Sequence, residues 1–362
     1  MNEGIVNEEW SVIQNLFTRE RWPASVPKEV PMDPHALLCH LQKTGRVRSP
    51  SATAVPLTGG VSSEIWLVTD GPERFVIKRA LPKLNVRDDW FADPARNAVE
   101  HDGLAYLHQL APGSVPRVLF HDAEAGLFAM EFLDERFANW KTELLRGAAR
   151  EEDAARAAQL KATIHRASWE KAEVQARFPT WPNFFALRVE PYLLTTGSRH
   201  PKLRRWFDHE AERLSRTALA LVHGDFSPKN ILISPERLVL LDCEAAWFGD
   251  PAFDAAFLLN HLFLKALHWP ARRENYLRLA FVCWSEYRAG LADRFDGSLS
   301  SRIGRLLLML MLARIDGKSP VEYIIEERKK ELVRGFVGRM LPAGAFAMEE
   351  IIDQWRKLLP TQ

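Results

Sequence analysis

The segment formed by residues 221–244 constrains this chain most, because it places polar side chains at the ends of short apolar runs. Three runs carry these side chains: Leu221-Val222-His223-Gly224-Asp225, Asn230-Ile231-Leu232-Ile233 and Leu238-Val239-Leu240-Leu241-Asp242. Apolar runs of this length predict short buried strands. The segment therefore brings groups that can hold a proton or a metal ion to the ends of strands.

These residue types and their spacing match the parts of a kinase catalytic loop. In such a loop one Asp takes the proton of the acceptor hydroxyl, while an Asn and a second Asp hold the Mg²⁺ that neutralises the phosphates. We therefore expect Asp225 to be the catalytic base, with Asn230 and Asp242 as metal ligands. Asn and Asp also favour turns at strand ends, but their joint spacing argues against a purely turn-forming role.

The motif resembles the aminoglycoside phosphotransferase family, the small-molecule branch of the protein-kinase-like fold that also contains choline, homoserine and methylthioribose kinases. The residues that carry the resemblance are His223-Gly224-Asp225 with Asn230, Asp242-Cys243-Glu244 and Gly249-Asp250-Pro251-Ala252-Phe253-Asp254. The resemblance extends from about residue 52 to at least 265. It implies an α+β, bilobed protein-kinase-like fold, with a small β-rich N-lobe and a large, mainly helical C-lobe. It also implies ATP and Mg²⁺ as cofactors and a small-molecule hydroxyl as the phosphate acceptor.

Composition narrows the possible partners and the compartment. The 362 residues carry a formal net charge of +1, so we expect no nucleic-acid partner. Cys39, Cys243 and Cys283 lie far apart without Cys-x-x-Cys spacing, which favours a reducing, cytoplasmic location. The N-terminus does not resemble a signal peptide, and the apolar stretches are short or interrupted, so we expect no membrane association. The oligomeric state is left open.

The sequence pattern divides the chain into three parts. We expect an N-terminal helical extension over 1–50, with amphipathic spacing at Val6, Trp10, Ile13 and Phe17 and a second helix that Asp33 and Pro34 open. A nucleotide-binding N-lobe is predicted over 51–133, with strands at 54–57, 64–69, 74–80, 115–121 and 126–133 and a helix at 93–110. The catalytic and acceptor-binding C-lobe is predicted over 134–362, with helices at 153–169, 203–218, 253–267, 271–289, 300–315, 320–337 and 348–358.

The nucleotide site is predicted from the N-lobe pattern together with the resemblance. The turn over residues 58–63 offers backbone N–H groups for the phosphates, and its candidate residues are Gly59, Gly60, Ser62 and Ser63. Lys78, in the third strand, matches the phosphate-binding lysine of the family, and Glu100 would orient it as an ion pair. The stretch from Met130 to Leu133 looks like the hinge that reads adenine, which makes Glu131 and Leu133 candidates as well.

Several alternatives stay open at the level of sequence. His223 is expected to brace the loop, and Glu244, Asp250 and Asp254 have either functional or structural roles. The rival functions are a regulatory nucleotide-binding protein without turnover and a protein Ser/Thr kinase. A Gly-x-Gly-x-x-Gly loop and the Asp-Phe-Gly and Ala-Pro-Glu motifs are absent, which favours the small-molecule branch. We expect the helices between about 139 and 218 and those after 253 to determine which acceptor binds. The acceptor is an aminoglycoside or a metabolic hydroxyl compound.

Overall fold

The computed structural model of the protein describes residues 32–57, 62–84 and 90–360. Two of the predicted features lie outside these ranges. They are the amphipathic helix over 6–17 and the glycine pair Gly59-Gly60 of the phosphate-binding turn.

The small lobe is built on a five-stranded antiparallel sheet with the strand order β1-β2-β3-β5-β4. Its strands are β1 (Thr53–Pro56), β2 (Ser63–Asp70), β3 (Glu73–Ala80), β4 (Val118–Asp122) and β5 (Leu127–Glu131). Helix α1 (Pro34–Lys43) covers one face of the sheet, where its Leu37 and Leu41 join a buried cluster with Trp66, Phe75 and Ile77. Alternation along β3 follows from the pleat, since neighbouring side chains point to opposite faces.

Alternation in β3 decides where Lys78 points. Phe75 and Ile77 belong to the cluster under α1, so Val76 and Lys78 face the other side of the sheet. Helix α2 (Arg96–Leu110) lies on that side and carries the buried Glu100. The amine of Lys78 is therefore directed between the sheet and the larger lobe, where only 5% of the residue is exposed.

The large lobe is mainly helical and contains most of the core. Its helices are α3 (Trp140–Leu145), α4 (Glu151–Ser168), α5 (Ala172–Arg177), α6 (Trp181–Phe184), α7 (Thr195–Arg199), α8 (Arg204–Ser215), α9 (Ala252–His268), α10 (Arg273–Leu291), α11 (Gly297–Asp316), α12 (Glu327–Ala343) and α13 (Met348–Leu358). Helix α9 lies at the centre, and residues 252–267 are all buried between its neighbours. The architecture is the α+β, two-lobed arrangement that the resemblance implies.

Short strands interrupt the helices where the polar motif occurs. β7 (Ala220–Val222) pairs with β10 (Trp247–Gly249), and β8 (Ile231–Ile233) pairs with β6 (Ala138–Asn139) and β9 (Leu238–Leu240). These ladders hold the ends of the predicted apolar runs together. The polar residues at those ends therefore lie in a fixed arrangement beneath the small lobe.

Some predicted boundaries were wrong. Helix α12 begins at Glu327 instead of 320, because residues 317–326 do not form a continuous series of helical hydrogen bonds. The Val321 N–H instead donates to the Arg314 carbonyl at 2.8 Å. Helix α2 begins at Arg96 instead of 93, because Asp93 forms a side-chain turn to Ala95 N–H. Asp33 occupies the N-cap position of α1 but makes no side-chain cap bond.

The sequence pattern did not predict the short helices α3, α5, α6 and α7, nor the segment between α6 and α7. Residues Phe185–Leu194 form a π-helix that contains Pro191, and such segments often occur at functional sites. No helix of the described ranges is both long and apolar enough to cross a membrane. The lobe boundaries at residues 50 and 133 stay a prediction.

Candidate active site

The loop after β7 is held by a tight turn and by a buried carboxylate. Gly224 has a φ of +78°, and a Cβ at this position would meet the Ala245 carbonyl oxygen at 2.6 Å. Only glycine fits this left-handed, close-packed position without strain. Asp254 of α9 accepts from His223 N–H at 2.7 Å and from Gly224 N–H at 2.9 Å. Asp254 therefore braces the loop.

His223 connects the loop to the next strand. Its Nδ1 accepts from Asp225 N–H at 3.1 Å, while Nε2 lies 3.1 Å from the Leu241 carbonyl oxygen and donates to it in this tautomer. Both bonds suit a neutral imidazole, and burial lowers the pKa of His223. These contacts assign His223 a bracing position and leave it without a free nitrogen for proton transfer.

Asp225 is buried beneath the small lobe, and 3% of the residue is exposed. Its Oδ2 is 2.8 Å from Arg188 Nη2 and 3.0 Å from Lys229 Nζ. Burial by itself raises the pKa of this carboxyl, but the charges of Lys229 and Arg188 outweigh burial and hold the pKa well below its ordinary value. Asp225 is therefore an ionised, well-oriented hydrogen-bond acceptor and a weak base.

Asn230 and Asp242 are brought beside Asp225 by the backbone. Asn230 Nδ2 donates to the Asp225 carbonyl at 3.0 Å, and Leu241 N–H bonds to the Asn230 carbonyl at 2.8 Å. Asp242 has a left-handed backbone with a φ of +72°, so it sits at a sharp corner after β9. The charges of Lys78 and Lys229 outweigh burial and lower the pKa of Asp242, which keeps it ionised.

Lys78 stands between two carboxylates. Its Nζ lies 2.7 Å from Glu100 Oε1 and 2.5 Å from Asp242 Oδ1. Burial by itself lowers the pKa of Lys78, but the carboxylates of Asp242 and Glu100 outweigh burial and raise it above its ordinary value. A permanently charged amine is thus held where the sheet, α2 and the Asp242 corner meet.

The serines of the phosphate-binding turn are buried at the start of β2. The Ser62 carbonyl accepts from Arg96 Nη2 at 2.6 Å and from Leu81 N–H at 2.9 Å. Ser63 Oγ has no hydrogen-bond partner among the described residues. Arg96 also pairs with Glu244, with 2.9 Å between Nε and Oε2, and so connects this turn to the corner after Asp242.

The proposed hinge leaves the sheet at β5. Glu131 N–H is already used by the Arg117 carbonyl at 2.8 Å, and its carboxylate pairs with Arg237 at 2.9 Å. The Glu131 amide and carboxylate are therefore engaged in holding the sheet. Leu133, two residues on, lies after the strand and belongs to no helix or strand. Their contact with a nucleotide stays a prediction.

Two cations at Asp225 were not expected from the sequence. Lys229 lies four residues after Asp225 within the motif, and this spacing could have predicted that the two side chains meet. Arg188 comes from the π-helix, and nothing in the local pattern marked it. Asp250, whose role was left open, accepts from Arg213, Arg302 and Ala252 N–H, and so anchors the start of α9.

The oxygen donors beside Asp225 suit a hard divalent ion that is shared with phosphates. Asp242 supplies a carboxylate, and the Asn230 amide, whose nitrogen is directed at Asp225, leaves its oxygen as the outward acceptor. The described residues contain no group of three or more His, Cys, Asp and Glu that could hold a metal by itself. Mg²⁺ binds through one or two protein ligands plus substrate phosphates, and its binding by Asn230 and Asp242 stays a prediction.

Comparison with known proteins identifies the family of the chain. The model of the Phosphotransferase enzyme family (APH) matches residues 53–290. Methylthioribose kinase of Pectobacterium atrosepticum is 26% identical over 290 residues, which covers 69% of this chain and 72% of that protein.

Solved structures share the fold. A choline kinase from Cryptosporidium parvum has a TM-score of 0.56 at 14% identity and covers 88% of this chain and 99% of its own. A microcompartment-associated aminopropanol kinase has a TM-score of 0.55 at 17% identity. The match covers 86% of this chain and 99% of the kinase. The predicted fold and family are confirmed. The chain belongs to the phosphotransferase enzyme family and is a small-molecule kinase.

Proposed function

We propose that the protein transfers the γ-phosphate of Mg²⁺-bound ATP to a hydroxyl group of a small molecule that lies against Asp225. In this reaction a bond forms between the acceptor oxygen and the γ-phosphorus. The bond from that phosphorus to the oxygen bridging it to ADP breaks, and the hydroxyl proton passes to Asp225 and then to solvent. The observation that carries the proposal is the buried Asp225 carboxylate, with Arg188 at 2.8 Å and the Asp242–Lys78 pair beside it.

Asp225 acts mainly by orientation. Because its pKa is held well below the ordinary value, it accepts a hydrogen bond from the acceptor hydroxyl more readily than it accepts the proton. A loose phosphoryl transition state needs little proton removal before the phosphate transfers. Arg188 and Lys229 fix the carboxylate, and positioning of this kind is a large part of catalysis in this class of reaction.

Lys78 would bind the nucleotide phosphates, with Glu100 holding the amine in place from α2. Asn230 and Asp242 would hold Mg²⁺, which neutralises phosphate charge when it is bound. Gly59, Gly60, Ser62 and Ser63 would supply the phosphate-binding turn, while Glu131 and Leu133 would lie along the adenine.

The acceptor of the curated relatives is named methylthioribose. At 26% identity this name makes methylthioribose the first compound to try. A regulatory protein without turnover is disfavoured, because nucleotide binding alone requires neither Asp225 nor the two cations that orient it.

Two substitutions separate metal binding from chemistry. Asp242→Asn removes a charge from the proposed metal site, so Mg²⁺-dependent ATP binding should weaken. Asp225→Asn leaves both proposed ligands in place, so ATP should bind nearly normally, while turnover should fall by roughly 10²–10⁴-fold.

The measurement is calorimetric ATP titration with and without Mg²⁺, followed by ADP release in the presence of acceptors. The first control is the thermal stability of the parent protein with ATP and Mg²⁺. ATP binding should stabilise its fold by about 2.7 kcal/mol when the free ATP concentration is 100 times Kd. An Asp225→Asn variant that turns over at the parent rate would show that the central motif has another role. The expected cytoplasmic location stays a prediction.

A further inference from the structure

A lysine in the middle of the large lobe is buried without a counter-ion. Lys265 of α9 is 0% exposed, and its Nζ has no hydrogen-bond partner among the residues that the structure describes. The nearest aromatic face is Tyr323, whose ring centroid lies 5.0 Å away. The Tyr323 hydroxyl also lacks a hydrogen-bond partner within the described ranges.

Burial of an unpaired cation costs more free energy than the packing contacts around Lys265 return. A buried charge is normally paired or fully hydrogen-bonded, because removal from water costs several kcal/mol. A cation–π contact returns only about 0.5–2 kcal/mol. Burial, and then the neighbouring Lys141 and Arg314, lower the pKa of Lys265 to about 7, although Glu322 partly opposes them. The described residues therefore supply no counter-ion that would keep this amine charged.

The environment of Lys265 is cationic on several sides. We name it the Lys265 cluster: Lys265 and His261 of α9, Lys141 of α3, Arg314 of α11 and Tyr323 of the segment before α12. Burial holds the pKa of His261 well below its ordinary value, and the charges of Arg314, Lys265 and Lys141 lower it further, while Asp225 opposes them. Arg314 Nη1 donates to Ser319 Oγ at 2.8 Å and to the Tyr192 hydroxyl at 3.2 Å, which are both neutral partners.

The carboxylates that act on this cluster already have partners. Asp225 acts on His261, and Glu322 acts on Lys265. Asp225 pairs with Arg188 and Lys229, as described above, and Glu322 pairs with Lys141 at 2.5 Å. Neither carboxylate is positioned as the counter-ion of Lys265.

A chain of side-chain contacts connects the Lys265 cluster to the residues around Asp225. Phe257, His261 and Lys265 are spaced by four residues and therefore share one face of α9. Arg188, which contacts Asp225, lies 5.8 Å from the Phe257 ring, and His261 stacks edge-on against Phe257 at 5.6 Å. At 1.5 Å per residue, Lys265 lies roughly 12 Å along the helix from Phe257. The long side chain of a helical lysine leans toward the N-terminal end of its helix, so the Lys265 amine lies closer to Phe257 than its backbone does.

We infer that the acceptor is a hydroxylated small molecule with an anionic group, a carboxylate or a phosphate, which binds Lys265 while its reacting hydroxyl lies at Asp225. This rests on the proposed function and narrows its acceptor class. Phosphate transfer is as written above, and the anionic group takes no part in it. Tyr323, which lies over the amine, belongs to residues 317–326, which form neither a helix nor a strand.

The test uses matched probes on the full chain with saturating Mg²⁺ and nucleotide. The sets are glycerol, glycerate and glycerol phosphate; glucose, gluconate and glucose phosphate; and, as unmatched comparisons, neutral methylthioribose and cationic choline. ADP release gives kcat/KM, and calorimetry with ADP gives binding. The carboxylate and phosphate members show which anion the site takes.

The variants are Lys265→Met, Arg314→Met and, as a control, Lys202→Met, since Lys202 is exposed. In the parent, an acid should exceed its neutral partner by roughly 10- to 100-fold, the value of one charge-assisted hydrogen bond. Lys265→Met should abolish that preference, Arg314→Met should reduce it, and Lys202→Met should keep it. Arg314→Met provides the same test if Lys265→Met fails to fold.

Two results would overturn the inference. One is turnover of methylthioribose or choline at an efficiency that neither Lys265→Met nor Arg314→Met changes, which leaves the kinase assignment intact. The other is a parent that binds no acid better than its neutral partner. Failure of the proposed function is distinct, because it appears as absence of Mg²⁺-dependent ATP binding before any acceptor is added.

Discussion

Lys265→Met should stabilise the protein, and the gain should depend on pH in a way that the buried amine alone predicts. Methionine has a similar length and no charge, so it fills the same space beside Tyr323. A substitution that stabilises the fold while removing acceptor selectivity is the signature of a residue kept for function.

The magnitude follows from the difference between the folded and unfolded pKa of Lys265. In the unfolded chain the amine titrates near its ordinary 10.5, whereas in the folded protein the pKa is about 7. Each unit is worth about 1.36 kcal/mol, so the amine costs the fold on the order of 4 kcal/mol at pH 7 and about 2 kcal/mol at pH 9.

The sign follows from proton binding. Between pH 7 and 10.5 the unfolded state holds a proton on Lys265 that the folded state has released, so the parent gains stability as pH rises through this window. The penalty is present in full below pH 7 and vanishes above 10.5. The variant lacks this dependence, and its advantage over the parent should therefore shrink by about 2 kcal/mol from pH 7 to pH 9.

The assay is urea unfolding of parent and variant at both pH values, followed by tryptophan fluorescence, with Lys202→Met as the exposed-lysine control. Other titrating groups are common to both proteins and cancel in the difference. A gain that is equal at pH 7 and pH 9, or a variant less stable than the parent at pH 7, would refute the view that Lys265 is desolvated and unpaired.

Three further substitutions test the loop and the nucleotide site. Gly224→Ala should destabilise by about 1–3 kcal/mol and lower kcat, because it combines a positive φ with a clash at the Ala245 carbonyl; urea midpoints and turnover measure this. Asp254→Asn should cost about 1–3 kcal/mol, since an amide has one acceptor oxygen for two backbone N–H groups, and it should lower kcat more than it raises the KM for ATP. Lys78→Met should weaken ATP binding in calorimetry more than Glu100→Gln does, because only the first removes the cation itself; equal effects would contradict their assigned roles.

Spacing within one short segment determined the family, the fold class and the general reaction. His223, Asp225, Asn230 and Asp242 are local in sequence, and strand ends place such residues together whatever the rest of the chain does. The bracing position expected for His223 agrees with its contacts. The assignments of Asp225, Asn230, Asp242 and the nucleotide-binding residues to catalysis and binding stay predictions.

The tertiary structure alone decided what surrounds those residues. Arg188 lies far upstream in an irregular helix, so no periodicity connects it to Asp225; only chain folding brings its guanidinium within 2.8 Å. Lys265 reads in the sequence as one polar residue in an apolar helix. Its burial without a counter-ion depends on α3, α11 and the segment before α12, which approach α9 from distant parts of the chain. Charge balance in a buried site is a property of three-dimensional packing, and a linear pattern carries no record of it.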